Sequence, residues 1–290
     1  MESQKQLPKF AVLQLSGCSG CEVSLMNSVE WINNFELVYM PLVVTANKIP
    51  DDVEVLLVSG GVRTDEDIHN LRKGASRSKK VIAVGTCALS GGVAQIREEH
   101  QARETYLLSS HRLRLPGMLP RAFPLDRFVH IDLYLPGCPP TPELFMTALK
   151  DADQAKIPSI VCQECGRQKL QDMRPTTITG MRSGVTLPDI CLINQGYVCV
   201  GTSTRGGCGA LCTRPGHACV GCRGPANPYL NKEPKFVLDN LRRVFTRMTD
   251  IPEEEINEAL ESPWLSLFLD QFTDYTQDEA LQLRTKEKMI

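Results

Sequence analysis

Twelve cysteines, grouped by their spacing, constrain this 290-residue chain more than any other feature. Cys18 and Cys21 form a C-x2-C pair, while Cys87 and Cys138 stand alone, each just after an apolar run. The remaining eight lie between Cys162 and Cys222 and read C-x2-C-x25-C-x7-C-x8-C-x3-C-x6-C-x2-C. A cubane iron–sulfur cluster takes four thiolates, so twelve cysteines match three clusters.

The compartment decides against the obvious rival, a disulfide framework. Met1 to Lys9 carries neither an apolar signal core nor a twin-arginine motif. No window approaches about 18 consecutive apolar residues, so no membrane span is expected. A cytoplasmic chain is the expectation, and in a reducing cytoplasm disulfides are rare. Net charge is -2, and the densest basic stretch, Arg72 to Lys80, reads as the polar end of a helix. Nucleic acid is not an expected partner.

The first half alternates strand-like and helix-like stretches. Phe10–Leu15, Glu36–Val44, Val53–Val58, Val81–Val84 and Phe128–Leu135 are predicted strands. Glu22–Asn33, Thr64 to about Ser78, and Pro142–Asp151 are predicted helices, with Thr64 and Asp67 as a capping pair. This is the pattern of an α/β, flavodoxin-like open parallel sheet, in which ligands sit beyond the carboxyl ends of the strands. Cys18, Cys21, Cys87 and Cys138 all fall there, on three different strand-to-helix loops.

After about Pro158 the periodicity fades and Gly, Cys and Thr dominate. The stretch from Cys191 to Arg223 has too few apolar residues for a core of its own, so metal is expected to hold it together. The organisation expected is a flavodoxin-like domain over 1–157, then an irregular iron–sulfur cluster domain with a helical C-terminal tail over 158–290. In the tail, Ser262-Pro263 reads as a cap. The apolar Trp264, Leu265, Leu267, Phe268, Leu269 and Phe272 fit packing on the chain itself or on a partner subunit.

Structural zinc is the alternative for any single C-x2-C pair. Two features favour iron–sulfur. The first set is spread from Cys18 to Cys138, unlike a compact zinc module, and glycines crowd the cysteines: Gly17, Gly20, Gly85, Gly137, Gly206, Gly207, Gly209 and Gly221. Glycine lets backbone amides approach cluster sulfurs. His217 lies among the cysteines but is not needed as a ligand when eight thiols serve two clusters. Glu22, directly after Cys21, reads either as a proton relay or as an exposed first-turn glutamate favoured by the helix dipole.

The motifs L-S-G-C-S-G-C-E at 15–22, G-T-C-A at 85–88 and P-G-C-P-P at 136–140 together resemble the small subunit of nickel–iron hydrogenases. The resemblance runs from about Phe10 to Pro225. It implies an electron-transfer subunit whose proximal cluster is held by Cys18, Cys21, Cys87 and Cys138. It further implies a distal cluster on Cys162, Cys165, Cys191 and Cys199, with cysteine where the family often has histidine. A medial cluster on Cys208, Cys212, Cys219 and Cys222 follows, with Cys212 supplying the fourth ligand that many relatives lack. All three would then be 4Fe-4S clusters.

The segments G-G-C-G-A-L-C at 206–212 and C-V-G-C-R-G-P at 219–225 are most similar to the cytoplasmic methyl-viologen-reducing hydrogenases of methanogens. That implies a hydrogenase large subunit carrying the nickel–iron centre, and a flavin or iron–sulfur acceptor subunit such as heterodisulfide reductase. A partner without nickel, as in respiratory complex I, and a zinc-stabilised interaction protein are the alternatives. Ser59 departs from relatives that have an acidic residue there, which leaves no basis for assigning it a proton or ligand role.

Overall fold

The computed structural model describes residues 7–92, 105–106, 108, 113–150, 159–180, 185–229 and 234–262. The chain forms two compact units that part between residues 155 and 156.

The first unit contains β1 (Lys9–Gln14), β2 (Glu36–Tyr39), β3 (Val53–Ser59), β4 (Val62–Thr64), β5 (Ser78–Val84), β6 (Met118–Phe123) and β7 (Leu133–Leu135). Five of these form one sheet in the order β2-β1-β3-β5-β7. Every pair in it is parallel. Numbered within the sheet alone, the order is 2-1-3-4-5, that of flavodoxin-type folds. A parallel sheet covered on both faces needs strands that are apolar on both sides. Phe10 and Ala11 on β1 and Leu56 and Val58 on β3 are accordingly fully buried. Phe10 also meets Trp31 and Phe35 edge-on, at ring separations of 5.6 and 6.2 Å.

The helices of this unit are α1 (Gly20–Met26), α2 (Glu30–Asn34), α3 (Asp65–Ala75), α4 (Gly85–Ser90) and α5 (Pro142–Leu149). Thr64 caps α3 by accepting the Asp67 N–H at 3.1 Å, and the Asp67 carboxylate accepts the Thr64 N–H at 2.9 Å. This is the reciprocal capping box expected from the sequence.

The structure departs from expectation in four places. The helix expected over 22–33 is two, because the chain turns at Asn27 and Ser28, whose amides bond back to Val23 and Leu25. Strand β2 stops at Tyr39 rather than Val44. Pro41 has no N–H to give a ladder, and the amides of Val43 and Val44 fold back onto Met40 O. The strand expected over 128–135 shrinks to Leu133–Leu135, with Asp132 pairing to Val81 through both its backbone and its carboxylate. Finally, β4 and β6 form a small antiparallel sheet that the sequence reading did not anticipate.

The second unit has little regular structure: α6 (Cys162–Cys165), short 3-10 turns at Ile193–Gln195 and Asn227–Tyr229, then α7 (Pro234–Met248) and α8 (Glu253–Leu260). Leu192, Ile193, Tyr197, Val198 and Val200 are buried here, and α7, with Leu241 and Phe245 buried, packs on the 193–195 turn. The cysteine-rich stretch thus shares a core with the helices that follow it. Asn194 is fully buried and fully used: its amide donates to Leu170 O and Met173 O at 2.9 and 2.7 Å and accepts from Leu170 N at 3.1 Å. Pro263 and the apolar run from Trp264 to Phe272 lie outside the described residues.

Candidate iron–sulfur centres

In the first unit the cysteines sit beyond the carboxyl ends of β1, β5 and β7. Cys18 is in the loop after β1, Cys21 in the first turn of α1, Cys87 in α4 and Cys138 in the loop after β7. Backbone and side-chain bonds tie the three loops together. Thr86 N–H donates to Gly137 O at 2.9 Å, and the Ser24 hydroxyl donates to Pro140 O at 2.5 Å. The Ser16 hydroxyl donates to Asp67 at 2.9 Å, so the loop leading to Cys18 is anchored to the capping box of α3. The Cys138–Pro139 peptide is cis.

Glycine is required at two positions around these thiols. Gly85 has φ +81°, and a Cβ there would stand 2.5 Å from Cys21 Sγ. Gly92 has φ +68°, and a Cβ there would overlap Cys87 Sγ. Both glycines keep backbone against sulfur without a side chain between.

Burial pushes the Cys21 thiol well above its ordinary range, with Glu22 and then Cys87, Cys138 and Cys18 adding to the effect. Burial does the same to Cys138, reinforced by Cys87 and Cys18. Cys21 and Cys138 are therefore both held in the field of Cys87 and Cys18. Thiols so placed ionise readily only when a cation replaces the proton, which is how metal loading works.

In the second unit, two cavities carry the other eight cysteines. One is lined by Cys162, Cys165, Cys191 and Cys199, together with Arg167, Lys169, two threonines and apolar residues. The other is lined by Cys208, Cys212, Cys219 and Cys222, with Thr204 and Arg223 among its other walls. Val161 and Thr213 face both.

Burial raises the Cys162 thiol to about 11. Burial also pushes Cys199 up to about 12, although the amides of Gly201 and Cys219 lean the other way. The Cys219 N–H points at Cys199 Sγ from 3.3 Å, the kind of amide contact that stabilises a sulfur bearing negative charge. Arg167 braces the loops: its guanidinium donates to Thr213 O, Leu187 O, Ile190 O and Arg214 O, at 2.5 to 3.1 Å. His217 is exposed and lines neither cavity.

The donor sets fit cubane clusters in number and chemistry, four thiols per set. Among the described residues no group of three or more His, Cys, Asp or Glu is arranged to hold a single metal ion.

Two sequence readings change. Glu22 is not an exposed first-turn residue: it is 2% exposed, and the Ser59 hydroxyl, itself buried, donates to its Oε1. Together they line a small cavity beside Cys21, walled by Val12, Leu25, Leu57, Val84 and Phe145. Ser59 thus has a partner where the sequence offered no role. The sequence reading also passed over Glu164 and Arg223, although both are charged residues set within or beside a C-x2-C pair, which was signal enough to single them out.

Residues 18–152 match the family model described as NADH ubiquinone oxidoreductase, 20 Kd subunit. This span contains Cys18, Cys21, Cys87 and Cys138. A vhu subunit of the F420-non-reducing hydrogenase of Methanocaldococcus jannaschii is 36% identical over 242 residues, covering 77% of this chain and 84% of that protein. The chain belongs to the hydrogenase small-subunit family. The corresponding vhu protein of Methanococcus voltae is 35% identical over 245 residues, with 77% and 84% covered. The solved [NiFeSe] hydrogenase from Desulfovibrio vulgaris Hildenborough is a more distant likeness: TM-score 0.49 and 17% identity, covering 78% of this chain and 96% of that one. Within the hydrogenase small-subunit family the role of such a chain is electron transfer. Among the described residues no helix is long and apolar enough to cross a membrane.

Proposed function

We propose that this chain is the electron-transfer small subunit of a cytoplasmic nickel–iron hydrogenase, holding three 4Fe-4S clusters. The observation that carries this reading is the pair of cavities in the second unit, each lined by four cysteines. Cys18, Cys21, Cys87 and Cys138 would hold the proximal cluster. Cys162, Cys165, Cys191 and Cys199 would hold the distal one, and Cys208, Cys212, Cys219 and Cys222 the medial one. When bound, the three clusters supply one-electron carriers between the nickel–iron site of a separate large subunit and a flavin or iron–sulfur acceptor such as heterodisulfide reductase.

The protein's own contribution is positional and electrostatic. The loops set four thiols per site, and buried walls keep water from Cys199 and Cys219. Glycines bring amides close to sulfur, and the Cys219 N–H takes part of the charge on Cys199. All-thiolate ligation places more negative charge at each site than a histidine ligand would, which suits low potentials.

The test is iron, acid-labile sulfide, zinc and nickel in the anaerobically purified complex. About twelve irons and twelve sulfides for this chain, with nickel in the partner, are expected. Cys87→Ser should abolish hydrogen-dependent dye reduction while the partner keeps its nickel; full rates would sink the proximal assignment. The match to the NADH ubiquinone oxidoreductase subunit favours one second reading, a relay beside a nickel-free partner. The same iron content without nickel would select it, and zinc in place of iron would end both.

A further inference from the structure

The cavity lined by Cys208, Cys212, Cys219 and Cys222 differs from its neighbour in the charges built into it. Arg223 is 3% exposed, lines the cavity, and donates from Nε to Gly206 O at 2.8 Å. Burial pulls its guanidinium below the ordinary arginine range, and the groups working against that are Cys208, Cys222 and Glu164. An arginine keeps its proton in proteins, so this is a fixed positive charge in a desolvated place. Glu164 supplies the opposite charge on the same set. Its Oε1 accepts the Gly207 N–H at 2.7 Å, and its Oε2 accepts from Cys208 Sγ at 3.8 Å. The neighbouring cavity has Lys169 and Arg167 in its lining, but Lys169 is exposed to solvent, where water screens its charge, and Arg167 is only half-buried and donates to four backbone carbonyls.

A buried cation is costly unless an anion answers it. Four thiolates around a cubane leave a net negative charge that grows by one on reduction, and a fixed cation nearby stabilises the more negative state. A carboxylate touching a ligand sulfur does the reverse.

Resting on the proposed cluster at Cys208, Cys212, Cys219 and Cys222, we infer that Arg223 and Glu164 are an opposed charge pair that tunes the potential of this cluster, Arg223 raising it and Glu164 lowering it. Both are positioning residues, acting on the cluster through its ligands and their field. The pair gives this site a buried cation and a carboxylate beside the same ligands.

The experiment is an EPR-monitored redox titration of the anaerobically purified complex, with iron and sulfide counted in each variant. Arg223→Met should make one cluster harder to reduce by about tenfold or more, about 59 mV for a one-electron couple, while the other two signals stay in place. Arg223→Lys, which keeps the charge, should recover most of that shift. Glu164→Gln, which keeps an acceptor for Gly207, should move the same signal the other way. A full iron complement with no shift in Arg223→Met overturns the inference. Should Arg223→Met lose four irons, Glu164→Gln decides: an upward shift of one signal supports the pair, and an unmoved one overturns it. Zinc or missing iron in the unaltered complex removes the cluster reading, and the inference with it.

Discussion

The two units hold cysteines in opposite ways. In the first, a five-stranded parallel sheet exists for reasons of its own, and the thiols stand on loops at its carboxyl edge. Phe10, Leu56 and Val58, none of them a candidate ligand, are fully buried in it. In the second, Cys199 and Cys219 are themselves buried side chains, and turns and isolated bridges join the surrounding loops. One unit is a scaffold that carries a site at its edge; in the other, ligands take part in the core itself. The lesson is that burial of ligands, rather than their number, shows where folding depends on metal.

Removing iron with a chelator under reducing conditions should expose this contrast most visibly. Limited proteolysis is expected to cut the second unit throughout while the sheet of the first stays protected. Equal loss in both would erase the distinction. Acidity sharpens it. In metal-free protein the Cys199 thiol sits at about 12 against an ordinary 9.0, so its folded value is raised. Stability from keeping that proton is fully present below about pH 9 and is lost as pH rises towards 12. Denaturant midpoints of the metal-free protein should therefore fall over that range; midpoints rising with pH would contradict the burial of Cys199.

The next largest effect is local to the first unit. Gly85→Ala puts a methyl 2.5 Å from Cys21 Sγ at a φ of +81°. It is expected to lower the iron count by about four while leaving the far-ultraviolet dichroism of the sheet intact. Loss of the sheet along with the iron would mean that the scaffold is not independent of its site.

Smallest is Ser59→Ala, which removes the hydroxyl that donates to the buried Glu22 carboxylate. The cost should be about 2 kcal/mol in unfolding free energy, read from chemical denaturation, with iron content unchanged.

Much of the sheet was legible because its strands are short apolar runs ending in glycine or proline, and because Thr64 and Asp67 announce a helix start. What the sequence hid had physical causes. The partnership of β4 and β6 joins segments far apart in the chain, each too short to show a period. Pro41 was visible, yet its effect on β2 was overlooked beside the valines that follow it. Glu22 was misjudged because a carboxylate beside a cysteine motif gives no sign of burial until Ser59 is seen reaching it from β3. Spacing grouped the last eight cysteines. Glu164 and Arg223 stood in plain view within and beside C-x2-C pairs, but that both act on Cys208 needed the fold.

Val161 and Thr213 each look into both cysteine cavities, so the partition between them is one side chain thick. For the cell this is a matter of biogenesis. With clusters held as proposed above, whatever delivers iron and sulfur to the second unit would meet two berths with a common bulkhead, and the two loadings would share a wall.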